Sequence, residues 1–236
     1  MAKHIFVFGS PGSGKSIFSA ALAKEVTHRK KKVILVSGDM VIPMLPFFCG
    51  NTDTAGLGIL CSGDITAQTV AQSVKVIKEY PDIGVMGLQF EDYPANITRD
   101  SVLCIAKILD DMVDVVIWDG TSDLGSVFNQ AMLKNTDLQV CILTADVKGI
   151  LYFEEHRYRI DTCPDVVLLE GMAKPYSPHE EMNARTGGLK GRLYYGREIE
   201  RICMEGDVFF VDRVCHKNYR DTVAQTIECL LEKGDR

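Results

Sequence analysis

Eight consecutive residues carry the clearest chemistry in this chain. Gly9-Ser10-Pro11-Gly12-Ser13-Gly14-Lys15-Ser16 satisfies the pattern G-x-x-x-x-G-K-[ST] at every defined position. Glycines let the backbone curl until successive N–H groups converge, an arrangement suited to phosphate oxygens. A helix opening near Lys15 adds the positive end of its dipole. The Lys15 ammonium is then a point charge for β and γ phosphates, and the Ser16 hydroxyl a ligand for Mg²⁺. Gly9, Ser10, Pro11, Gly12, Ser13, Gly14, Lys15 and Ser16 are therefore the candidate nucleotide-binding residues, and Lys15 is also a candidate catalytic group.

A magnesium–nucleotide site also needs a carboxylate at the end of a neighbouring strand. The apolar run Val113-Asp114-Val115-Val116-Ile117-Trp118 ends in Asp119, which joins Ser16 as a candidate metal residue. Asp39 follows a second apolar run, Val33-Ile34-Leu35-Val36, after Ser37 and Gly38. There it either organises an attacking water or the metal, as a catalytic group, or makes an Asx turn beside Gly38. Asp123, four residues after Asp119, reads as the cap of a helix starting near Leu124.

The elements that must position these residues alternate along the chain. Strand patterns fall at 5–8, 33–36, 83–88, 113–118, 138–143, 166–169 and 192–195. Helical spacing falls at 15–27, 64–80, 97–112 with Thr98 as its N-cap, 124–133, 147–159 and 221–233. The strands are nearly continuous apolar runs, so both of their faces should be buried. That predicts a three-layer α/β/α fold with a mainly parallel sheet, as one domain over residues 1–236. Residues 173–191, rich in proline and glycine, read as a long surface loop.

Composition narrows the setting. With 46% hydrophobic residues in a chain of 236, a core forms without disulfides or metals. A net charge of −6 repels phosphate backbones, so nucleic acid is not an expected partner. The run Arg29-Lys30-Lys31-Lys32 reads as a solvated helix end feeding a strand. The eight cysteines lack C-x-x-C spacing and read as small buried hydrophobes in a reducing, cytoplasmic setting, with Cys215-His216 as filler. No run approaches the ~18 apolar residues of a membrane span. The acidic stretch 221–236 also lacks the basic face that anionic lipids require.

With these motifs in place the chain resembles the ParA/MinD branch of P-loop ATPases, through residues 3–16, 33–39, 113–119 and 138–149. Within that branch it looks most like small TadZ/CpaE-related ATPases, and Val41-Ile42-Pro43-Met44-Leu45-Pro46 adds to the impression. The resemblance implies ATP and Mg²⁺ as cofactors, a homodimer that sandwiches nucleotide, and an unidentified protein partner. It implies a slowly hydrolysing switch in localisation or assembly, related to pili, partition or mobile elements. Two departures stand out. Many members carry a lysine where Ser10 stands, reaching across the dimer, and D-x-D where Ser37-Gly38-Asp39 stands. A comparable arginine finger is worth about 10³–10⁵ in rate, so both losses should slow hydrolysis. Arg185, Arg192, Arg197 and Arg201 either substitute for the missing cation or are surface charges. The family's base-recognition stretch corresponds to Gly171-Met172-Ala173-Lys174-Pro175, without the common Asn. Two other readings stay open: a non-hydrolysing nucleotide-binding adaptor, and a small-molecule kinase or ligase on the same fold.

Overall fold

The computed structural model describes residues 1–40, 44, 56–89, 96–163, 166–206, 208–210 and 217–232, with backbone alone at 210 and 230–232. Residues 41–43 and 45–46, together with Cys215 and His216, lie outside the described residues.

Seven strands run parallel, and the interior ones are short apolar runs buried on both faces. They are β1 (Lys3–Gly9), β2 (Val33–Ser37), β4 (Tyr80–Met86), β5 (Val115–Asp119), β6 (Leu138–Thr144), β7 (Val166–Ala173) and β8 (Gly191–Tyr194). An eighth, β3 (Lys75–Ile77), is antiparallel to β4 at one edge. The spatial order is β3-β4-β2-β5-β1-β6-β7-β8, which puts β1 and β5 in the interior of the sheet.

Helices cover both faces. Against one face, Phe18, Leu22 and Val26 of α1 (Lys15–His28) pack on Ile5, Val7, Leu35 and Val140. Ile199 of α8 (Arg197–Glu205), Val208 of a 3₁₀ turn (Val208–Phe210) and Val223 and Ile227 of α9 (Lys217–Glu232) complete that layer. The other face carries α2 (Leu57–Ser62), α3 (Ala67–Ser73), α4 (Arg99–Leu109), α5 (Val127–Met132), α6 (Val147–Asp161) and α7 (His179–Thr186). The expected three-layer α/β/α architecture is therefore observed. At the sharp end of α1, Arg29 closes an ion pair with Glu25, 3.2 Å away, before the chain enters β2.

Three local expectations are corrected. The helix expected over 64–80 stops at Ser73, and Lys75–Ile77 is β3. Strand pairing with β4 overrides a helical spacing that Val70, Val74 and Ile77 also satisfy. Residues 173–191 are not one long loop, because α7 lies inside them, anchored by the buried Met182. The third concerns the entry to α5. Its N-cap is Ser126, whose side chain accepts from Asn129 N–H, while Asp123 accepts from Gly125 N–H in a turn before the helix. The Thr98 cap of α4 is found as expected, in a capping box with Ser101.

Gly149, in the first turn of α6, sits where an added Cβ would lie 2.0 Å from the Thr144 carbonyl oxygen. The contact is backbone against helix, so no side chain can yield. Gly149→Ala is expected to cost at least about 2 kcal/mol by overpacking and to lower the melting temperature by about 5 °C or more. An unchanged melting curve would contradict this close seating of α6 on β6.

Candidate functional site

The site is built where β1, β5 and β2 end. Parallel register puts Asp119 opposite Val7 on one side and opposite Ser37 on the other, so the last residue of β5 lies at the edge from which the phosphate loop departs. Beyond Gly9 the chain turns through left-handed backbone at Gly9, Gly12 and Gly14, with φ of 145°, 71° and 86°. At Gly9 the reason is also space, because a Cβ would lie 1.9 Å from the Ile142 carbonyl oxygen of β6. At Gly12 nothing lies within 4 Å of that direction, so the loop is open there. Gly14 is the N-cap of α1 and offers no side chain to its first N–H groups, which leaves them for a ligand.

Lys15 folds its ammonium back over the loop. Its Nζ donates to the Ser122 hydroxyl at 2.9 Å, to the Ser10 carbonyl at 3.0 Å and to the Gly9 carbonyl at 3.4 Å. Burial lowers its pKa, and the carboxylates of Asp119 and Asp39 oppose that fall. Asp119 is itself 3% exposed. Burial raises its pKa to about 6, against hydrogen bonding from Ser16 and Ser19 and the charge of Lys15. The Ser19 hydroxyl donates to Asp119 Oδ1 at 3.2 Å. Lys15, Ser16, Asp39 and Asp119, chosen from the sequence, are thus brought into one electrostatic cluster. The Ser13 hydroxyl is buried with no hydrogen-bond partner among the described residues, an orphan donor in the loop wall. An open glycine cradle, an unspent hydroxyl, an ammonium and a carboxylate beside Ser16 fit a polyphosphate with a hard divalent cation.

Ser10 does not reach outward. It is fully buried, and its hydroxyl accepts from Thr144 N–H at 2.8 Å while facing Thr144 Oγ1 at 3.2 Å. The Thr144 hydroxyl donates to Asp146 Oδ1, which caps α6 by accepting from Lys148 and Gly149 N–H. The phosphate loop is thereby joined to the start of α6 through three short polar side chains. The arginines of the late segment are largely engaged: Arg185 with Glu154 and Glu181, Arg192 with Glu170, and Arg201 with Glu205.

Ser122, Thr144 and Glu170 at this edge were not singled out from the sequence, and Met172 entered only within the stretch 171–175. Ser122 and Thr144 carry no motif. Met172 adopts φ of 54°, unusual for a side chain larger than glycine, and its Sδ lies 3.4 Å from where a Cβ on Gly14 would stand. Glu170 is fully buried on β7 between His179 and Arg192, whose Nε approaches Oε2 to 2.8 Å as an ionic contact rather than an aligned hydrogen bond. An acid inside the apolar run Val166-Val167-Leu168-Leu169-Glu170 was the available signal.

The raised pKa of Asp119 has a stability consequence. The folded protein keeps this proton up to about pH 6, whereas the unfolded chain releases it near the ordinary value of 3.8. The stability contributed by the protonated form is therefore present at low pH and lost as pH rises from about 4 to about 6, by about 3 kcal/mol. Asp119→Asn should flatten that stretch of the pH–stability curve and leave the nucleotide-free variant more stable than wild type at pH 7.5. Parallel curves in denaturant titrations would contradict it.

The sequence matches no family profile and no curated protein. The structure does have counterparts. A ParA family ATPase from Chlorobium tepidum TLS superposes with a TM-score of 0.78 at 15% identity, over 95% of this chain and 98% of that one. The septum site-determining protein MinD of Pyrococcus horikoshii OT3, complexed with Mg-ADP, gives 0.76 at 16% identity, over 100% and 97%. A plasmid partition protein of Borrelia burgdorferi B31 bound to AMPPNP gives 0.73 at 14% identity, over 99% and 100%. The described residues of this chain have the fold of the ParA/MinD-type P-loop ATPases.

Proposed function

We propose that the chain is an ATP-binding, Mg²⁺-dependent switch of the ParA/MinD type, slow to hydrolyse, that reports its nucleotide state to a protein partner in localisation or assembly. The observation that carries this reading is the grouping of half-buried Lys15 and Ser16 with buried Asp119 at the mouth of an open glycine loop. Mg²⁺ would be held by the Ser16 hydroxyl and, through its water shell, by the Asp119 carboxylate. It would neutralise charge between the β and γ phosphates. Lys15 would bind the same phosphates, and Asp39, whose charge is felt by both Lys15 and Asp119, would orient the attacking water. Met172, in the stretch that the resemblance assigns to base recognition, borders a small apolar hollow beside Gly14 with Ile17 and Leu193. The resemblance implies a homodimer that sandwiches nucleotide, but with serine at position 10 nucleotide alone is not expected to draw two copies together. The narrower similarity to TadZ/CpaE proteins leans on residues 41–46, most of which lie outside the described residues. No helix among the described residues is long and apolar enough to cross a membrane.

Slow turnover follows from Ser10. Its hydroxyl is committed to Thr144, and no cation stands in the 10–13 stretch to reach a second nucleotide. The same observation favours the second reading, a non-hydrolysing adaptor, which ATP turnover measured with and without cell extract separates from the first. A kinase would produce ADP without free phosphate, and a ligase would release phosphate only together with its ligated product.

Lys15→Ala should weaken Mg·ATP binding by about 100-fold or more while leaving the melting temperature within a few degrees, because the lost bonds are charge-assisted and little packing is removed. Unchanged affinity in a calorimetric titration would refute the phosphate-loop assignment. Asp119→Asn should reduce ATP affinity in Mg²⁺ and leave the affinity in EDTA near that of wild type. An equal loss in both buffers would make Asp119 a purely structural residue.

A further inference from the structure

Left-handed backbone is uncommon for a residue larger than glycine, and it persists only where the surroundings dictate it. Met172, at φ 54°, has such surroundings on β7. Register with β8 pairs Leu169 with Gly191 and Glu170 with Arg192, then resumes at Ala173 with Tyr194. Two residues of β7, Gly171 and Met172, therefore stand opposite Leu193, which makes a β-bulge. A bulge re-aims the side chain that it carries.

The bulge is anchored on both sides. Before it, the fully buried Glu170 holds Arg192 of β8 at 2.8 Å and also His179, the first residue of α7. After it, the carbonyl of buried Ala173 accepts from Tyr195 N–H at 3.0 Å. Between these anchors β7 meets the phosphate loop residue for residue. Gly171 lies so close to the loop that an added Cβ would stand 2.2 Å from the Ser13 carbonyl oxygen. Met172 brings its Sδ to 3.4 Å from where a Cβ on Gly14 would stand. Gly14, left-handed at φ 86°, is the N-cap of α1, so its conformation sets where the first N–H groups of that helix point. A glycine is otherwise free to leave that conformation.

Resting on the nucleotide reading above, we propose that Met172 is a positioning residue for phosphate: aimed by the bulge at Gly14, it keeps that glycine left-handed before any ligand arrives. The N–H groups of the loop are then already set, and less ordering is left to the binding step. The strain at Met172 offsets that ordering in advance. The role concerns the phosphate chain, whatever base is attached to it.

The experiment titrates Mg·ATP and the magnesium complex of inorganic tripolyphosphate, which has no base, into wild type, Met172→Gly and Met172→Leu, with melting curves alongside. Glycine suits φ 54° and removes the thioether. Both ligands should weaken in Met172→Gly by about five- to thirtyfold, the worth of ordering one residue's backbone. The melting temperature should stay within a few degrees, because relief of the left-handed strain offsets the lost packing. Met172→Leu conserves the volume and should bind both ligands nearly as wild type does. A loss confined to ATP overturns the proposal, because Met172 would then be touching the base. Unchanged affinity for both ligands in Met172→Gly overturns it, and so does a melting temperature far below that of wild type, which would make Met172 a packing residue. Tripolyphosphate that fails to bind a wild type that binds ATP also overturns it. A wild-type protein that binds neither ligand overturns the nucleotide reading itself, a result distinct from the others.

Discussion

Burial lowers the pKa of Lys15 and raises that of Asp119. Each group opposes the other's tendency: the Asp119 charge sustains the ammonium, and the ammonium holds down the carboxyl pKa. The pair is incompletely balanced, since Asp119 still titrates near 6. A site tuned this way is short of positive charge when its carboxylates are ionised, which fits the divalent cation proposed for it. The parallel register that sets Asp119 between Val7 and Ser37, and the glycine turns that carry the loop over it, are the geometric conditions for that pairing.

The same economy of polar groups explains Ser10. A long cation at this position would leave Thr144 N–H without its present acceptor in a fully buried place, a loss of about 1–3 kcal/mol. The serine hydroxyl links the loop inward to Thr144 and Asp146, and so to the N-terminus of α6. The loop is therefore wired within the chain rather than toward a second copy. Ser122 provides the other internal connection, so both polar ties of the loop lead to helices on the same face of the sheet, α5 and α6.

Much of this was legible in the sequence because the governing patterns are local. The glycine–lysine string, the apolar run ending in Asp119 and the Thr98 cap each announce themselves within a few residues. The edge of the sheet was hidden because Val70, Val74 and Ile77 satisfy helical spacing, while the β3–β4 turn, Lys78-Glu79, lacks the Asn-Gly type of signature that marks a tight hairpin. Helix α7 carried recognisable signs: Glu180 and Glu181 in its first turn, Arg185 in its last, and Gly187 at φ 78° beyond it. The surrounding prolines and glycines masked them. Ser122 and Thr144 could not be found from spacing at all, since their roles arise from partners 107 and 134 residues distant.

The central claim is that a complete phosphate loop here serves binding, with no cation at position 10 to draw two copies together around nucleotide. Light scattering on wild type with Mg²⁺ and a non-hydrolysable ATP analogue, paired with phosphate release under ATP, tests it most directly. Saturable nucleotide binding with an unchanged molar mass and slow phosphate release is the expected result. A compact dimer that forms only with the analogue, together with brisk hydrolysis, would contradict it.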